Sequence, residues 1–547
     1  MPEAGGAFLE GRLCSTLLVP GTSSPNRLST GRTAVFAVVA ALAVLLGLNG
    51  VVEQLEHWRL VTTTHPADRV QYVEERLWAR GRDGRWHTTA YAEESLVRQS
   101  FPVDKRGGYR VGVVGGSFAM GSPYVLQGYP NTAGGIPFFL ERGLTQGRGG
   151  RSVEVINASA GGQNSSRARS VAEQLLQLDL DLLVVLTCNN EGQLRPRQMQ
   201  AWLNEQGGYR LLKRWLSPEP SSAWFTPQHP DLNRLRHDYR QNLRAMVQDA
   251  TERGVSVALG TLPVNLRYRG WDTGGHILRG EQPPRPAAAV PAREPMRIAP
   301  GFETHPVCTT GVLLFEANEF GLALPMLRAC LRAPDPPDRL TERLPAYAAI
   351  AEYELGIADD VTRLSIEATL GECLAGGIDL YYAGRYEEAM AVFERCDDPA
   401  EALRWHGFSL LAQGAAGPAR QALQQTIELA PRNRCRPTFN DIIREEAAAA
   451  EGAFLVDLDA LSQAAAPLGL PGPEVFVDYC HMNWRGYASM ARQLGAAIER
   501  ETGVPFRLDD ANVPAAAAGL PFGDNAEQIR VTNEWTSGDR QALRPIP

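Results

Sequence analysis

Short hydrophobic runs recur along the chain from residue 110 onward, and each ends in a cluster of small or polar residues. The intervals between the runs are long enough for helices, as in chains that alternate strands with crossover helices. Runs this rich in Val, Leu and Ile are typical of strands buried on both faces of a sheet. The predicted strands are Val111–Val114, Val153–Ile156, Leu182–Leu186, Val255–Leu259 and Phe454–Val456. The pattern therefore predicts an α/β domain with a parallel five-stranded sheet.

A different hydrophobic pattern lies near the N-terminus, where Thr33–Val52 contains no charge and is rich in Ala, Val and Leu. About 20 such residues are enough to cross a bilayer as a helix. Arg27 and Arg32 precede the run and Glu53 and Glu56 follow it, so the positive-inside rule places the N-terminus in the cytoplasm. The long preceding region and the lack of an A-x-A site favour an uncleaved anchor over a signal peptide. The absence of a polar face disfavours a buried helix.

A long insertion separates the fourth and fifth predicted strands, and it opens with a Pro- and Ala-rich stretch at residues 282–300. Small and large residues then recur at the offsets of a tetratricopeptide (TPR) repeat. They are Gly377, Leu380, Ala389 and Phe393, then Gly407, Leu410, Ala419, Leu423 and Pro431, with Gly311 and Ala323 as a weaker earlier copy. The small residues allow antiparallel helices to approach closely, with Phe393 and Leu423 filling the groove between them. Because the copies are degenerate and unevenly spaced, a generic helical hairpin insertion remains an alternative.

These patterns divide the chain into segments with different expected structures. The expected segments are a disordered cytoplasmic leader (1–32), a transmembrane signal anchor (33–52), a membrane-proximal lead-in (53–108), the first part of the α/β domain (109–272), a Pro-rich linker (273–308), TPR-like helical repeats (309–434), the second part of the α/β domain (435–504) and a C-terminal tail (505–547). Everything after the anchor is expected on the periplasmic or extracytoplasmic side of the cytoplasmic membrane.

Composition narrows the classes of partner. At 547 residues the chain is too long for one ordinary core. A formal net charge of -8, with no basic stripe, argues against a nucleic-acid partner. The eight cysteines show neither a CxxC pair nor CxxC…HxxxH spacing, so neither a zinc site nor a dense disulfide framework is indicated. The pairing of the cysteines is left open, and no metal or cofactor is expected.

Two predicted strands run into glycine-containing turns that carry polar residues. In Gly115-Gly116-Ser117, the two glycines permit unusual backbone dihedrals and leave the Ser117 hydroxyl exposed. The segment Asn157–Ser165 contains Gly162, where a glycine turn can bring a backbone N–H near a developing oxyanion. Taken alone, the serine is more often a helix cap and the second segment an ordinary turn.

Two later clusters supply possible partners for this serine. The third predicted strand ends near Asn189 and Asn190, whose side-chain amides are also common turn chemistry. In the segment Phe476–Tyr487, Asp478 precedes His481 by three residues. This spacing lets the carboxylate orient the imidazole while the other ring nitrogen removes a proton from a serine. A lone Asp-x-x-His also occurs by chance, so the prediction depends on all four clusters in order.

The order of the clusters resembles that of the SGNH (GDSL-like) hydrolase superfamily, in which Ser, Gly and Asn blocks precede Asp-x-x-His. The resemblance implies a flavodoxin-like, three-layer α/β/α domain around a five-stranded parallel sheet. It also implies roles for residues of this chain: Ser117 as nucleophile, Gly162 and Asn190 as oxyanion donors, and His481 as the base oriented by Asp478. Asn190 is preferred because an acidic residue follows it, as in the family, but the register leaves Asn189 as an alternative.

A narrower resemblance is to membrane-anchored bacterial SGNH-like proteins with TPR repeats before the last block. It rests on the repeats, on Thr261–Arg267 after the fourth strand, and on Arg436 with Asn440–Arg444 before the fifth. Two departures from the family pattern stand out: Gly-Gly-Ser-Phe replaces Gly-Asp-Ser, and Thr187-Cys188 replaces the usual glycine-containing approach to the asparagine. These departures leave the substrate and the activity open.

The favoured hypothesis is a serine ester hydrolase that forms an acyl-enzyme on an acyl ester substrate. One alternative is an envelope O-acyltransferase that uses the same residues and passes the acyl group to a hydroxyl. Another is a noncatalytic scaffold whose TPR-like repeats bind a protein partner. The membrane is an expected partner through the single N-terminal helix.

Overall fold

The computed structural model describes residues 47–55 in part, 76–125 with short gaps, 134–149, 152–191, 207–216, 232–268, 308–332 in part, 344–429 and 434–509. The predicted leader (1–32), most of the predicted anchor, most of the linker and the tail beyond residue 509 lie outside these residues. Among the described residues, no helix combines the length and apolar character needed to cross a membrane.

The chain divides into two compact units. The first comprises Met1–His65 and Arg195–Pro220. Its described part contains the helix Gly207–Leu216, and the Gly208 N–H donates a hydrogen bond of 2.9 Å to Oδ1 of Asn49. The second unit comprises Pro66–Leu194 and Ser221–Pro547, and the elements below belong to it.

A small antiparallel sheet precedes the α/β domain, within the region predicted only as a lead-in. It consists of β1 (Trp78–Arg80), β2 (Arg85–Thr88) and β3 (Ser100–Pro102), paired in that order. The sheet packs apolar side chains such as Trp78 and Phe101 into the core.

The main sheet has five parallel strands, as the hydrophobic runs predicted. They are β4 (Tyr109–Gly115), β5 (Val153–Asn157), β6 (Leu182–Leu186), β7 (Ser256–Gly260) and β8 (Ala453–Val456). Their order across the sheet is β5-β4-β6-β7-β8. All five residues of β6 are buried, which explains its uninterrupted apolar sequence.

Helices pack on the main sheet in two groups. The helices flanking the sheet are α1 (Ser117–Met120), α2 (Ile136–Gly147), α3 (Ser165–Leu175), α4 (Leu232–Thr251), α12 (Pro437–Ala449), α13 (Leu458–Ala465) and α14 (Trp484–Thr502). Helix α2 packs against α14, whereas α3 packs against α4, and α4 against α12. The connection from β4 to β5 runs one way across the sheet and the later connections run the other way. Right-handed crossovers therefore put the two groups on opposite faces.

This strand order has a consequence for ligand binding. In open α/β sheets, ligands bind at the carboxyl ends of the strands where the direction of connection reverses. Here the reversal falls between β4 and β6, which pair with Gly115 opposite Leu186. The residues after these two strands, around Ser117 and Asn190, therefore flank the expected crevice.

From residue 308 onward, the described part of the insertion between β7 and β8 consists mainly of helices. Its helices are α5 (Phe320–Leu331), α6 (Leu344–Glu354), α7 (Asp360–Leu370), α8 (Glu372–Tyr382), α9 (Tyr386–Phe393), α10 (Pro399–Ala412) and α11 (Ala416–Leu429). Gly377 of α8 faces the ring of Phe393 on α9, and Gly407 of α10 faces Leu423 on α11. The predicted close approach of paired helices at these small residues is therefore confirmed.

Three disulfides lie among the described residues and give the cysteine pairing that the sequence left open. They join Cys188 to Cys435, Cys308 to Cys330, and Cys373 to Cys396. The paired cysteines lie 247, 22 and 23 residues apart, so no short sequence motif predicts their pairing. Cys480 is buried and unpaired.

The beginning of the predicted tail packs on the α/β domain. Phe506 lies against Gly143 of α2 and Gly495 of α14, where an added methyl group would collide with its ring. The Arg507 N–H donates a hydrogen bond of 2.9 Å to the Gly143 carbonyl. Residues 505–509 therefore cover the groove between these two helices.

The α8–α9 contact yields a stability test with a built-in control. A methyl group at Gly377 would overlap the buried ring of Phe393, so Gly377→Ala should lower the free energy of unfolding by about 1–3 kcal/mol. At the adjacent Gly376, no atom lies within 4 Å of the added methyl position. Gly376→Ala should therefore be neutral or stabilise by up to about 1 kcal/mol. Urea denaturation followed by circular dichroism measures both, and equal losses would contradict the packing argument.

Candidate active site

Ser117 opens the short helix α1 directly after strand β4, at the carboxyl edge of the sheet. The preceding Gly116 has φ -78° and ψ -165°, which any residue can adopt, so unusual dihedrals are not why glycine stands there. A methyl group on Gly116 would lie 2.6 Å from Nδ2 of Asn190, and one on Gly115 would collide with the Leu186 carbonyl. The glycine pair therefore lets β4 and its turn approach β6 closely, which corrects the reason expected from the sequence.

Ser117, His481 and Asp478 form a continuous hydrogen-bonded chain. Nε2 of His481 lies 2.7 Å from Oγ of Ser117, across 364 residues of sequence. Nδ1 of the same ring lies 2.6 Å from Oδ2 of Asp478. The side chains of His481 and Asp478 are 13% and 16% exposed. The structure therefore brings together the three residues predicted to act in sequence as nucleophile, base and orienting carboxylate.

The other oxygen of Asp478 is held by the local backbone. Its Oδ1 accepts hydrogen bonds from the N–H groups of Cys480 at 2.8 Å and His481 at 2.6 Å. With Oδ2 bound to the imidazole, both carboxylate oxygens have partners. The three-residue spacing makes this possible, because the loop turns back onto its own aspartate.

Asn265 fixes the loop from outside, a role that the sequence analysis did not assign. Its Nδ2 donates to the carbonyl of Asp478 at 3.0 Å, and its N–H donates to the carbonyl of Tyr479 at 3.2 Å. Asn265 is only 2% exposed and lies after strand β7. Asn265 lies within Thr261–Arg267, the segment on which the narrower resemblance partly rests. That resemblance was the sequence feature that could have indicated its role.

Two tyrosines join the histidine loop to the serine turn. The Tyr124 hydroxyl accepts a hydrogen bond of 2.8 Å from the N–H of Trp484, the first residue of α14. The Tyr487 hydroxyl donates one of 2.6 Å to the Ser122 carbonyl. Asn483 caps α14 by accepting from the Gly486 N–H at 2.9 Å. These bonds fix the start of α14, and with it His481, relative to α1.

The environment of His481 raises the pKa of its imidazole well above the ordinary value near 6.5. Burial by itself lowers this pKa, because it disfavours the charged ring. The charge of Asp478 and its hydrogen bond, together with the contact to Cys480, act in the opposite direction and outweigh burial. The site therefore stabilises the imidazolium that forms when the ring takes a proton.

The predicted oxyanion donors lie next to the serine turn. Nδ2 of Asn190 is close to Gly116 and donates to the Gln163 carbonyl at 3.1 Å. Gly162 lies in the adjacent turn at φ 67°, a conformation that favours glycine. The alternative Asn189 is occupied elsewhere, because its Oδ1 accepts from the Cys435 N–H at 2.9 Å. The geometry thus favours Asn190 over Asn189 as the amide beside the serine turn.

Glu191 connects the asparagine turn to helix α3. Its carboxylate accepts hydrogen bonds from the N–H and the hydroxyl of Ser165, the first residue of that helix, at 2.5 Å and 2.9 Å. Nδ2 of Asn242 on α4 donates to the same hydroxyl at 3.0 Å. The acidic residue after Asn190 therefore holds the turn against the helix that follows the Gly162 segment.

Asp478, Cys480 and His481 also form a set of potential metal ligands among the described residues. Their ligand atoms all lie within 4.8 Å of one another. Burial raises the pKa of the Cys480 thiol, which contacts His481. A metal bound there would use the imidazole and carboxylate that otherwise serve Ser117, so the two uses of these side chains exclude each other.

Comparisons of the chain with protein-family models, with curated protein sequences and with solved structures found no match in any of the three.

The pKa of His481 can be measured without any substrate. In Ser117→Ala protein labelled with 13C-histidine, the His481 resonance should titrate with a pKa above 6.5, because Asp478 favours the charged ring. Asp478→Asn should move the pKa downward. Since the folded-state pKa is raised, protonated His481 favours folding, and this contribution is lost as pH rises through that pKa. A pKa at or below 6.5 with Asp478 intact would show that the site does not favour the charged ring.

Proposed function

We propose that the chain is a serine ester hydrolase of the SGNH/GDSL type. The observation that carries the proposal is the position of the His481 ring, with one nitrogen 2.7 Å from the Ser117 hydroxyl and the other 2.6 Å from Asp478. Both distances suit proton transfer through the imidazole. The parallel sheet with helices packed on it is consistent with the flavodoxin-like fold that the family resemblance implies.

The geometry suggests the order of steps. His481 takes the proton from Oγ of Ser117 as that oxygen attacks the acyl carbonyl, and the resulting imidazolium is stabilised by Asp478. The imidazolium then returns the proton to the leaving alcohol, which leaves an acyl-serine. A water molecule, deprotonated by the same ring, attacks the acyl-serine and releases the acid, and the proton returns to Ser117.

The negative charge that develops on the carbonyl oxygen needs preorganised donors. Asn190 is the proposed side-chain donor, because its Nδ2 lies against the residue before Ser117. The backbone N–H of Gly162 is the proposed second donor, from the turn that receives the Asn190 hydrogen bond at Gln163. Both come from strand ends that flank β4 in the sheet.

The three disulfides support the proposal that the hydrolase acts outside the cytoplasm. Disulfides form and persist in oxidising compartments and are rare in the cytosol. This agrees with the orientation expected for an anchor at residues 33–52, which would put the rest of the chain on the far side of the cytoplasmic membrane. We likewise propose that the paired helices α8–α11 are TPR-like repeats, on the basis of their glycine contacts.

Removing the nucleophile or the base provides the direct test. Ser117→Ala and His481→Ala should each lower kcat for p-nitrophenyl acetate by at least about 1,000-fold, because the residues act as one unit. The double variant should lose little more than either single variant. A fluorophosphonate probe should label Ser117 in the wild type and not in the His481→Ala protein.

A neighbouring serine supplies the matched control. Ser122 follows α1 and contacts Tyr487 through its backbone carbonyl rather than its hydroxyl, so Ser122→Ala should keep nearly full activity. If Ser117→Ala hydrolysed esters as fast as Ser122→Ala, the proposed nucleophile would be wrong.

The oxyanion assignment predicts a loss that falls on kcat rather than on KM. Asn190→Ala should lower kcat by about 10²–10³-fold with little change in KM, because the donor acts mainly in the transition state. Steady-state kinetics with a soluble ester measures both constants, and circular dichroism checks that the variant is folded. A variant that raises KM alone would argue for a substrate-binding role instead.

A further inference from the structure

We propose that the Cys188–Cys435 disulfide is a positioning element for the oxyanion donor Asn190, an inference that rests on the proposed function. The disulfide joins the turn after β6 to the segment just before helix α12, across 247 residues. Cys188 precedes Asn190 by two residues. The bond therefore ties the donor's own turn to a distant part of the fold.

The backbone of this turn needs an external restraint. Cys188 has φ 147°, a conformation that residues with side chains rarely adopt. Such a conformation persists when the surrounding structure holds it in place. Oδ1 of Asn189 accepts a hydrogen bond of 2.9 Å from the Cys435 N–H, a second tie between the same two segments. Disulfide and hydrogen bond together hold one side of the turn.

The segment at the far end of the disulfide is itself fixed to the sheet. Asn440 on α12 accepts from the Leu262 N–H at 2.9 Å and donates to the Leu262 carbonyl at 3.0 Å. Leu262 lies just after strand β7, and both residues are buried. Cys435 thus precedes a helix that is bound to the end of β7. The disulfide can therefore hold the turn after β6 in a fixed position relative to the sheet.

The other side of the turn is held by noncovalent contacts alone. Nδ2 of Asn190 donates to the Gln163 carbonyl, and Glu191 binds the first residue of α3. Without the disulfide, these contacts would remain, but the strained residue before them would be free to relax. The Asn190 amide would then have to be ordered during the reaction, and a donor that is not preorganised stabilises the transition state less.

The other two disulfides supply matched controls, because both lie in the helical insertion. Removing Cys188–Cys435 by a double substitution to alanine should lower kcat for p-nitrophenyl acetate by about 10-fold or more, with KM changed less than about threefold. The pairs Cys308→Ala with Cys330→Ala, and Cys373→Ala with Cys396→Ala, should keep kcat within about twofold.

A double-mutant cycle separates positioning from general destabilisation. If the disulfide acts through Asn190, its removal in the Asn190→Ala background should change kcat by less than about twofold. A full loss in both backgrounds, or no loss in either, would overturn the proposal. Melting temperatures of all variants, measured in parallel, would show whether a decrease in kcat results from unfolding.

Hydrogen–deuterium exchange gives a readout that does not require activity. Removing Cys188–Cys435 should speed exchange in the peptide that covers Cys188–Glu191, whereas removing either control disulfide should not. Unchanged exchange in this peptide would show that the disulfide does not position the turn. This result would hold even if the wild type cleaved no ester. The two proposals can fail separately. If Ser117→Ala were as active as the wild type, the proposed function would be wrong, but the exchange measurement would still test whether the disulfide holds the Cys188–Glu191 turn.

Discussion

The parallel pairing of β4 with β6 is the constraint on which the rest of the site depends. It places Gly115 opposite Leu186, so both strands end at the same level of the sheet. Glycine at the end of β4 lets the two strands approach closely, and the turns that follow bring the Asn190 amide beside Gly116, the residue before Ser117. Because parallel strands require long crossovers, residues that meet at this edge come from distant parts of the chain.

The loops at this edge are held from two directions, which limits the conformations available to them. Asn265 fixes the histidine loop through two backbone contacts, and Tyr124 and Tyr487 join it to the serine turn. The asparagine turn is held by Glu191 on one side and by a disulfide on the other. An active site built on loops gains precision from such second contacts, because they remove alternative arrangements of the reacting groups.

The long helical insertion is compatible with this precision because it rejoins the sheet through specific contacts. Its exit is tied to the end of β6 by Cys435 and to the end of β7 by Asn440. The cost of closing a long loop rises only slowly with its length, so the insertion need not destabilise the sheet. The helical insertion and the candidate site are therefore joined at the carboxyl edge of the sheet.

The sequence by itself determined what local pattern controls: the five buried strands, the helical insertion with its glycine contacts at Gly377, and the Asp-x-x-His spacing that lets a loop bind its own aspartate. Only the tertiary structure decided the contacts between distant segments. These contacts are the hydrogen bond between Ser117 and His481, that between Asn190 and Gln163, those from Asn265 to the histidine loop, and the disulfide of Cys188. Each joins chain segments far apart in sequence. Periodicity and spacing report a residue's neighbours along the chain, whereas the packing of crossover connections determines its neighbours in space.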